Sequence, residues 1–188
     1  MRSARSFLGL VTASELNGLD KVELSWLRAS TINWLSDQAL GELNASVLNG
    51  LSVTELGKLN ASVLNSLPPF VIWGLDARVL NNLSLREKGR LNAHVLENLS
   101  KIALYYLDAS VLTHLSPTEL VELKADVLNG LSPVALSHLD IPLLNSLSPT
   151  ELGKLNASVL NGFPYSKYYG FYKLNGLASK KWRVPNER

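Results

Sequence analysis

Residues 51–66 read LSVTELGKLNASVLNS, and residues 147–162 read LSPTELGKLNASVLNG. Each stretch is two eight-residue phrases that open on leucine, and the same beat extends outward from both. From Val11 to Gly170 the chain divides into twenty consecutive octads without an insertion or deletion. Position one is leucine in eighteen of them, with Val11 and Phe163 as the exceptions. Position six is apolar in nineteen, and Lys88 alone departs. Successive octads alternate in character, so the larger unit is a 16-residue pair. A fixed period of this kind marks a repeat architecture and outweighs any local motif.

The period excludes continuous structures. A coiled coil repeats every 3.5 residues per turn, and eight is not a multiple of that. In one unbroken helix the leucines would rotate by roughly 80° per octad and form no stripe. A half-buried strand needs strict alternation, whereas these apolar positions are spaced five then three. The chain must therefore break into short pieces, and the polar positions say where. Position two is Ser, Thr, Asn or Asp in sixteen octads, from Thr12 to Asn156. These are N-cap residues, whose side-chain oxygens accept the orphan N–H groups of a starting helix. Asp20, Asp76, Asp108 and Asp140 are assigned to caps on the same ground. Pro69, Pro117, Pro133 and Pro149 fall at position three, the first helical residue, where a missing N–H costs nothing. Glu15, Glu23, Glu55, Glu87, Glu119 and Glu151 fall at position five and complete capping boxes. All ten glycines of the array occupy position seven or eight, where a left-handed residue would end the helix.

Helices this short cannot stand alone, since an isolated helix needs about 12–15 residues. Stacking of positions six and one supplies the missing stability, roughly 1.5–3 kcal/mol per buried leucine. The expected fold is all-α: a right-handed solenoid of very short helices, with 8-residue units paired into 16-residue repeats, two helices to a layer. Four segments follow: 1–10, an N-terminal segment or partial first repeat; 11–162, the octad solenoid; 163–177, an aromatic cap; and 178–188, a basic tail.

Composition narrows function. The chain has 188 residues, 46% hydrophobic content and a formal net charge of +2, which implies no bulk affinity for nucleic acid or anionic membrane. It has no cysteine, so disulfides, thiol catalysis and thiolate metal sites are excluded together. No apolar run reaches the length of a transmembrane helix. The start, MRSARSFLGLVTASE, is basic and rich in hydroxyls, as an import sequence would be. Leu8 and Leu16 nonetheless keep the beat, so it reads as an imperfect first repeat. The lack of cysteine and of a full secretory signal favours an intracellular compartment, with organelle import as the alternative.

The pattern L-[SND]-x-x-x-L-x-x, with Ser-Pro-Thr-Glu starts at 116–119 and 148–151, resembles the short-helix superhelical repeats of the mesothelin, stereocilin and otoancorin superfamily. The resemblance covers most of residues 11–162. It implies an armadillo-like superhelix used for adhesion or extracellular protein contact.

No catalytic constellation, cofactor site or metal site is expected. The serines are accounted for as caps, and His94, His114 and His138 lack a third ligand partner and read as solvent-facing turn residues. Gly57-Lys58 and Gly153-Lys154 lack the glycine that opens a phosphate loop. Candidate partner-binding residues are of three kinds. Arg86, Lys88 and Arg90 form a basic cluster in octad 83–90, with either an anion or partner contact, or Leu85 replacing Lys88 in a shifted core frame. Trp26, Trp34, Trp73, Tyr105 and Tyr106 occupy positions seven and eight, and either line one edge or fill gaps between layers. Lys180, Lys181, Trp182 and Arg183 form the tail. The expected function is a non-enzymatic repeat scaffold for protein–protein interaction or assembly. The alternatives are an accessory subunit that docks into a larger organellar or membrane-associated complex through its termini, and weak nucleic-acid binding through the aromatic and basic tail. Self-association through the repeat ends is a further way such an array can assemble.

Overall fold

The computed structural model describes residues 11–139 and 141–162. Over these residues it is all-helical, with nineteen helices of four to six residues and no strand. The calls on segments 1–10, 163–177 and 178–188 lie outside the described residues. In chain order the helices are α1 (Ala13–Asn17), α2 (Lys21–Trp26), α3 (Ala29–Asn33), α4 (Asp37–Gly41), α5 (Ala45–Gly50), α6 (Val53–Leu56) and α7 (Ala61–Asn65). They continue with α8 (Pro69–Trp73), α9 (Ala77–Asn81), α10 (Leu85–Lys88), α11 (Ala93–Glu97), α12 (Lys101–Tyr105) and α13 (Ala109–Thr113). The last six are α14 (Pro117–Glu122), α15 (Ala125–Gly130), α16 (Pro133–Ser137), α17 (Ile141–Ser146), α18 (Pro149–Gly153) and α19 (Ala157–Gly162).

Every one of these helices begins at position three of its octad. Each helix from α1 to α18 closes with a short turn: the N–H of a position-one leucine donates to the position-six carbonyl three residues back, as in Leu51 to Leu48 and Leu131 to Leu128. The next two residues are extended, as at Leu51 and Ser52, and the cycle restarts. The core leucines of positions one and six thus sit on either side of the closing turn. Buried residues from Ala13 to Val159 join into a single apolar cluster.

Capping divides the helices into two kinds. In the even-numbered helices, seven serines from Ser36 to Ser148 accept the N–H of the third helical residue at 3.2–3.3 Å. In the odd-numbered helices after α1, no side-chain cap is made by Arg28, Asn44, Asn60, Asp76, Asn92, Asp108 or Lys124. The expectation that Asn and Asp at position two cap their own helices holds at Asp20 and is corrected at Asn44, Asn60, Asp76, Asn92 and Asp108, while Asp140 lies outside the described residues. The capping-box expectation is corrected too. Only Thr12 with Glu15 and Asp20 with Glu23 form the reciprocal box. The later glutamates reach across the fold to helices that lack a cap. Glu55 accepts from Ala29 N–H at 2.9 Å, Glu87 from Ala61 at 2.8 Å, Glu119 from Ala93 at 2.6 Å and Glu151 from Ala125 at 2.8 Å. Each partner lies 26 residues back. A carboxylate at a helix N-terminus meets the positive end of the peptide dipoles, and the charge strengthens the bond.

Asparagines at position seven make the second long-range clamp. One amide head carries both a donor and an acceptor, so it can bridge a carbonyl and an N–H. Asn49 Nδ2 donates to Gly74 O at 2.9 Å, and Asp76 N–H donates to Asn49 Oδ1 at 2.9 Å. Asn17, Asn33, Asn65, Asn81 and Asn129 repeat the pair, always to residues 25 and 27 positions on. At the octad where Glu97 replaces asparagine, residue 27 positions on is Lys124, and the two form an ion pair at 2.5 Å. Glu97 raises the Lys124 pKa by that bond. The substitution keeps the link while changing its chemistry.

The clamps agree with the packing. The most extensive helix contacts join helices three apart, such as α10 with α13 and α12 with α15, or four apart, such as α5 with α9 and α9 with α13. The expectation of two helices per layer, with neighbours two octads apart, is corrected: the chain returns to itself after 25–27 residues. The cross-reaching glutamates themselves recur every 32 residues, or four octads, at 55, 87, 119 and 151.

Two of the clamp carboxylates, Glu55 and Glu151, are held in their charged form by their partners. The Glu55 pKa is held below 4.5, first by Lys58 Nζ at 2.7 Å and then by the Ala29 N–H. The Glu151 pKa is lowered first by the Ala125 N–H and then by Lys154. These native carboxylates bind protons less readily than unfolded ones. Their contribution is present above the unfolded value of 4.5 and is lost as pH falls through the lower folded values. Urea melts should therefore show stability declining on acidification below 4.5. Gln at both positions can still accept the N–H, so the double variant Glu55→Gln, Glu151→Gln should fold and show a shallower acid slope. An unchanged slope would show that these clamps do not couple folding to protons.

Candidate interaction surface

The outward positions are set by the two kinds of helix. Odd-numbered helices from α5 to α15 bury Val at position five: Val47, Val63, Val79, Val95, Val111 and Val127. Even-numbered helices leave positions three, four, seven and eight largely at the surface. Eleven of the twelve exposed large apolar residues lie on even-numbered helices or directly after one: Trp34 is the exception. The alternation seen in the sequence therefore separates core-forming helices from helices that also present apolar groups to solvent.

All five aromatic candidates are exposed, and none fills a gap in the core: Trp26, Trp34, Trp73, Tyr105 and Tyr106, with Trp34 at 85%. Tyr105 and Tyr106 stack edge to face, with ring centres 5.3 Å apart. Trp73 ends α8. Asn81, the last residue of α9, donates to the Tyr106 carbonyl at 2.9 Å. Helix α9 follows α8 after three residues and spans about 7.5 Å at 1.5 Å per residue. Phe70 and Ile102 are also exposed, each three residues before Trp73 and Tyr105 on the same helix. Sequence reasoning missed both. Their signal was an apolar residue at position four, which the core beat does not require.

The three basic residues of octad 83–90 differ in exposure. Arg86 is exposed, and Arg90 pairs with Glu87 at 3.2 Å. Lys88 is 4% exposed and its Nζ donates to Ser110 Oγ at 2.9 Å. The shifted-frame expectation is also corrected, since α10 starts in phase and Leu85 is exposed while Lys88 occupies the core position. Burial lowers the Lys88 pKa, opposed in part by Asp108. Every other described residue at position six is apolar, so Lys88→Leu should stabilise the fold, by about 1–4 kcal/mol, as replacing buried ionic groups with apolar ones often does. The folded pKa lies below the unfolded 10.5, so wild-type stability should also climb as pH rises toward 10.5. That climb should weaken in Lys88→Leu. A variant less stable than wild type would mean that the Ser110 bond outweighs desolvation.

The histidines bond within their own octads. His114 Nδ1 donates to Ser110 O and His138 Nδ1 to Val134 O, each at 2.8 Å, while Asn98 Nδ2 donates to His94 Nδ1 at 3.0 Å. Among the described residues no three His, Asp or Glu side chains converge as a metal group would, and no helix is long and apolar enough to cross a membrane. Lys180, Lys181, Trp182 and Arg183 lie outside the described residues. No family model, curated protein or solved structure matches this chain.

Proposed function

We propose that the chain is a non-enzymatic scaffold whose exposed even-numbered helices bind protein. The observation that carries this reading is the set of exposed apolar and aromatic side chains on one class of helix, above a core that is complete without them. Contiguous exposed apolar groups mark interaction sites on soluble proteins, and aromatic anchors dominate binding energy. The clamps at 25–27 residues support a solenoid with about 3.25 octads per turn, 26 residues over eight. A superhelix of this kind, which the mesothelin-like resemblance also implies, presents an extended surface suited to such contacts. The test is affinity capture on the intact chain beside the Phe70→Ser, Trp73→Ser variant. Partners retained by wild type should be lost from the variant. Equal capture by both would remove these residues from the binding surface.

A further inference from the structure

We propose that Asn17, Asn49 and Asn129 are latent deamidation sites, held closed by the long-range clamps, and that conversion of any one after its clamp opens prevents that clamp from re-forming. Five asparagines precede glycine in the chain, Asn17, Asn49, Asn129, Asn161 and Asn175, and the first three are clamp asparagines. The reaction starts when the glycine backbone nitrogen attacks the asparagine side-chain carbon, Cγ. The N–Cγ bond forms, the Cγ–Nδ2 bond breaks, and ammonia leaves with the proton of the attacking nitrogen. Water then adds to either carbonyl of the cyclic imide and opens it to aspartate or isoaspartate. Nothing is oxidised or reduced. A following residue with a side chain hinders the attack, and glycine has none to do so.

The fold both imposes this dipeptide and restrains it. A Cβ at Gly50 would lie 2.6 Å from Leu24 Cβ, and one at Gly130 would lie 2.8 Å from Leu104 Cδ1, so packing selects glycine at both places. Asn49 and Asn129 lie within α5 and α15, and ring closure requires the asparagine to leave the helical ψ of about −42°. Asn17 ends α1, and the Gly18 N–H that would attack is bonded to Ser14 O at 3.2 Å. Each side-chain amide is also engaged at both of its polar atoms. Asn17 bonds Glu42 O at 2.9 Å and Asn44 N–H at 2.7 Å. Asn49 bonds Gly74 O and Asp76 N–H, each at 2.9 Å. Asn129 bonds Lys154 O at 3.2 Å and Asn156 N–H at 2.8 Å. Attack therefore waits on a local opening that frees the amide and the backbone together. The product has lost the Nδ2 donor, so a carboxylate oxygen meets the carbonyl that the amide had bonded, and two acceptors repel. Opening of the array is thereby recorded as a covalent change.

Peptide mapping by mass spectrometry of the intact chain, aged in mildly alkaline buffer with and without guanidinium chloride, tests the proposal. In denaturant the three sites should convert well ahead of Asn33, Asn65 and Asn81, which carry the same clamp but precede Trp34, Ser66 and Asn82. In native buffer Asn17, Asn49 and Asn129 should convert at least about 10-fold more slowly than in denaturant, as two hydrogen bonds per clamp allow. Asp76→Pro removes the N–H that Asn49 Oδ1 accepts. The backbone suits proline, since φ at Asp76 is −76° and Pro68 already holds the same octad position at −70°. This variant should speed conversion of Asn49 in native buffer by about 2- to 10-fold, the reach of one lost hydrogen bond, and leave Asn129 unchanged. Asn129→Asp copies the product and should lower the urea midpoint relative to wild type. Equal rates at the three sites with and without denaturant overturn the proposal, and that comparison is complete even if Asp76→Pro does not fold. A folded Asp76→Pro chain with Asn49 converting at the wild-type rate overturns the clamp as the restraint. An Asn129→Asp chain as stable as wild type means that the clamp re-forms on the product, and the irreversible step fails.

Discussion

Leu128→Ala is expected to cost about 2–5 kcal/mol, the range for deleting a large side chain from a packed interior. Leu128 is fully buried in α15, between Val127 and the Leu131 that opens the next octad. Contacts of α15 with α11, α12 and α19 surround the cavity that alanine would leave with other short helices. α11 and α12 can relax little, because each is closed by its own turn, at Leu99 and Leu107. Leu120 occupies the same octad position in α14 but is only partly buried, so Leu120→Ala should fall at or below the low end of that range. Ser116→Ala removes the hydroxyl that accepts the Glu119 N–H, and should cost about 0.5–2 kcal/mol. Urea melts of the three variants should rank them Leu128, then Leu120, with Ser116 no larger than Leu128. A neutral Leu128→Ala would contradict the octad core directly.

Gly130→Ala should destabilise by about 1–3 kcal/mol, the usual cost of overpacking. A Cβ at Gly130 would lie 2.8 Å from Leu104 Cδ1 and 2.9 Å from Leu104 Cβ. The Cβ cannot swing away, so α12 and α15 would have to separate. Gly41 stands at position seven of another octad, at the end of α4, and a Cβ there meets nothing within 4 Å. Gly41→Ala should be neutral or stabilising by up to about 1 kcal/mol, since alanine is the better helix residue and restricts the unfolded chain. The pair separates two explanations of the same sequence signal. If both glycines served only to stop helices, the two substitutions would behave alike in thermal melts.

This contrast shows how far the local pattern reaches. Glycine at positions seven and eight predicts helix ends, and helices do end there. The expected left-handed conformation is absent: Gly57, Gly74 and Gly89 have φ of −63°, −84° and −68°, and none of the described glycines is left-handed. Gly50, Gly74 and Gly130 are required because a helix from another part of the chain comes within van der Waals distance: Leu24, Ala45 and Leu104 stand where a side chain would go. The glutamates divide in the same way. Glu15 and Glu23 close boxes on their own helices, but Glu55, Glu87, Glu119 and Glu151 each serve a helix 26 residues back. Locally, the motif at Ser52 and Glu55 looks the same as the one at Asp20 and Glu23.

What the sequence by itself determined, over the described residues, was where each helix starts and that the apolar residues of positions one and six supply the core. N-terminal prolines, leucine spacing and the caps of Thr12, Asp20 and the seven serines act within four residues, so they need no distant partner to be read. The tertiary structure decided which octads are neighbours, which side chains bridge them, that Lys88 turns inward to Ser110, and that Phe70 and Ile102 remain outside. Those outcomes depend on how many octads the chain takes to return to itself. That number follows from the angles between successive short helices, summed over 25–27 residues, and an eight-residue beat is compatible with more than one such sum.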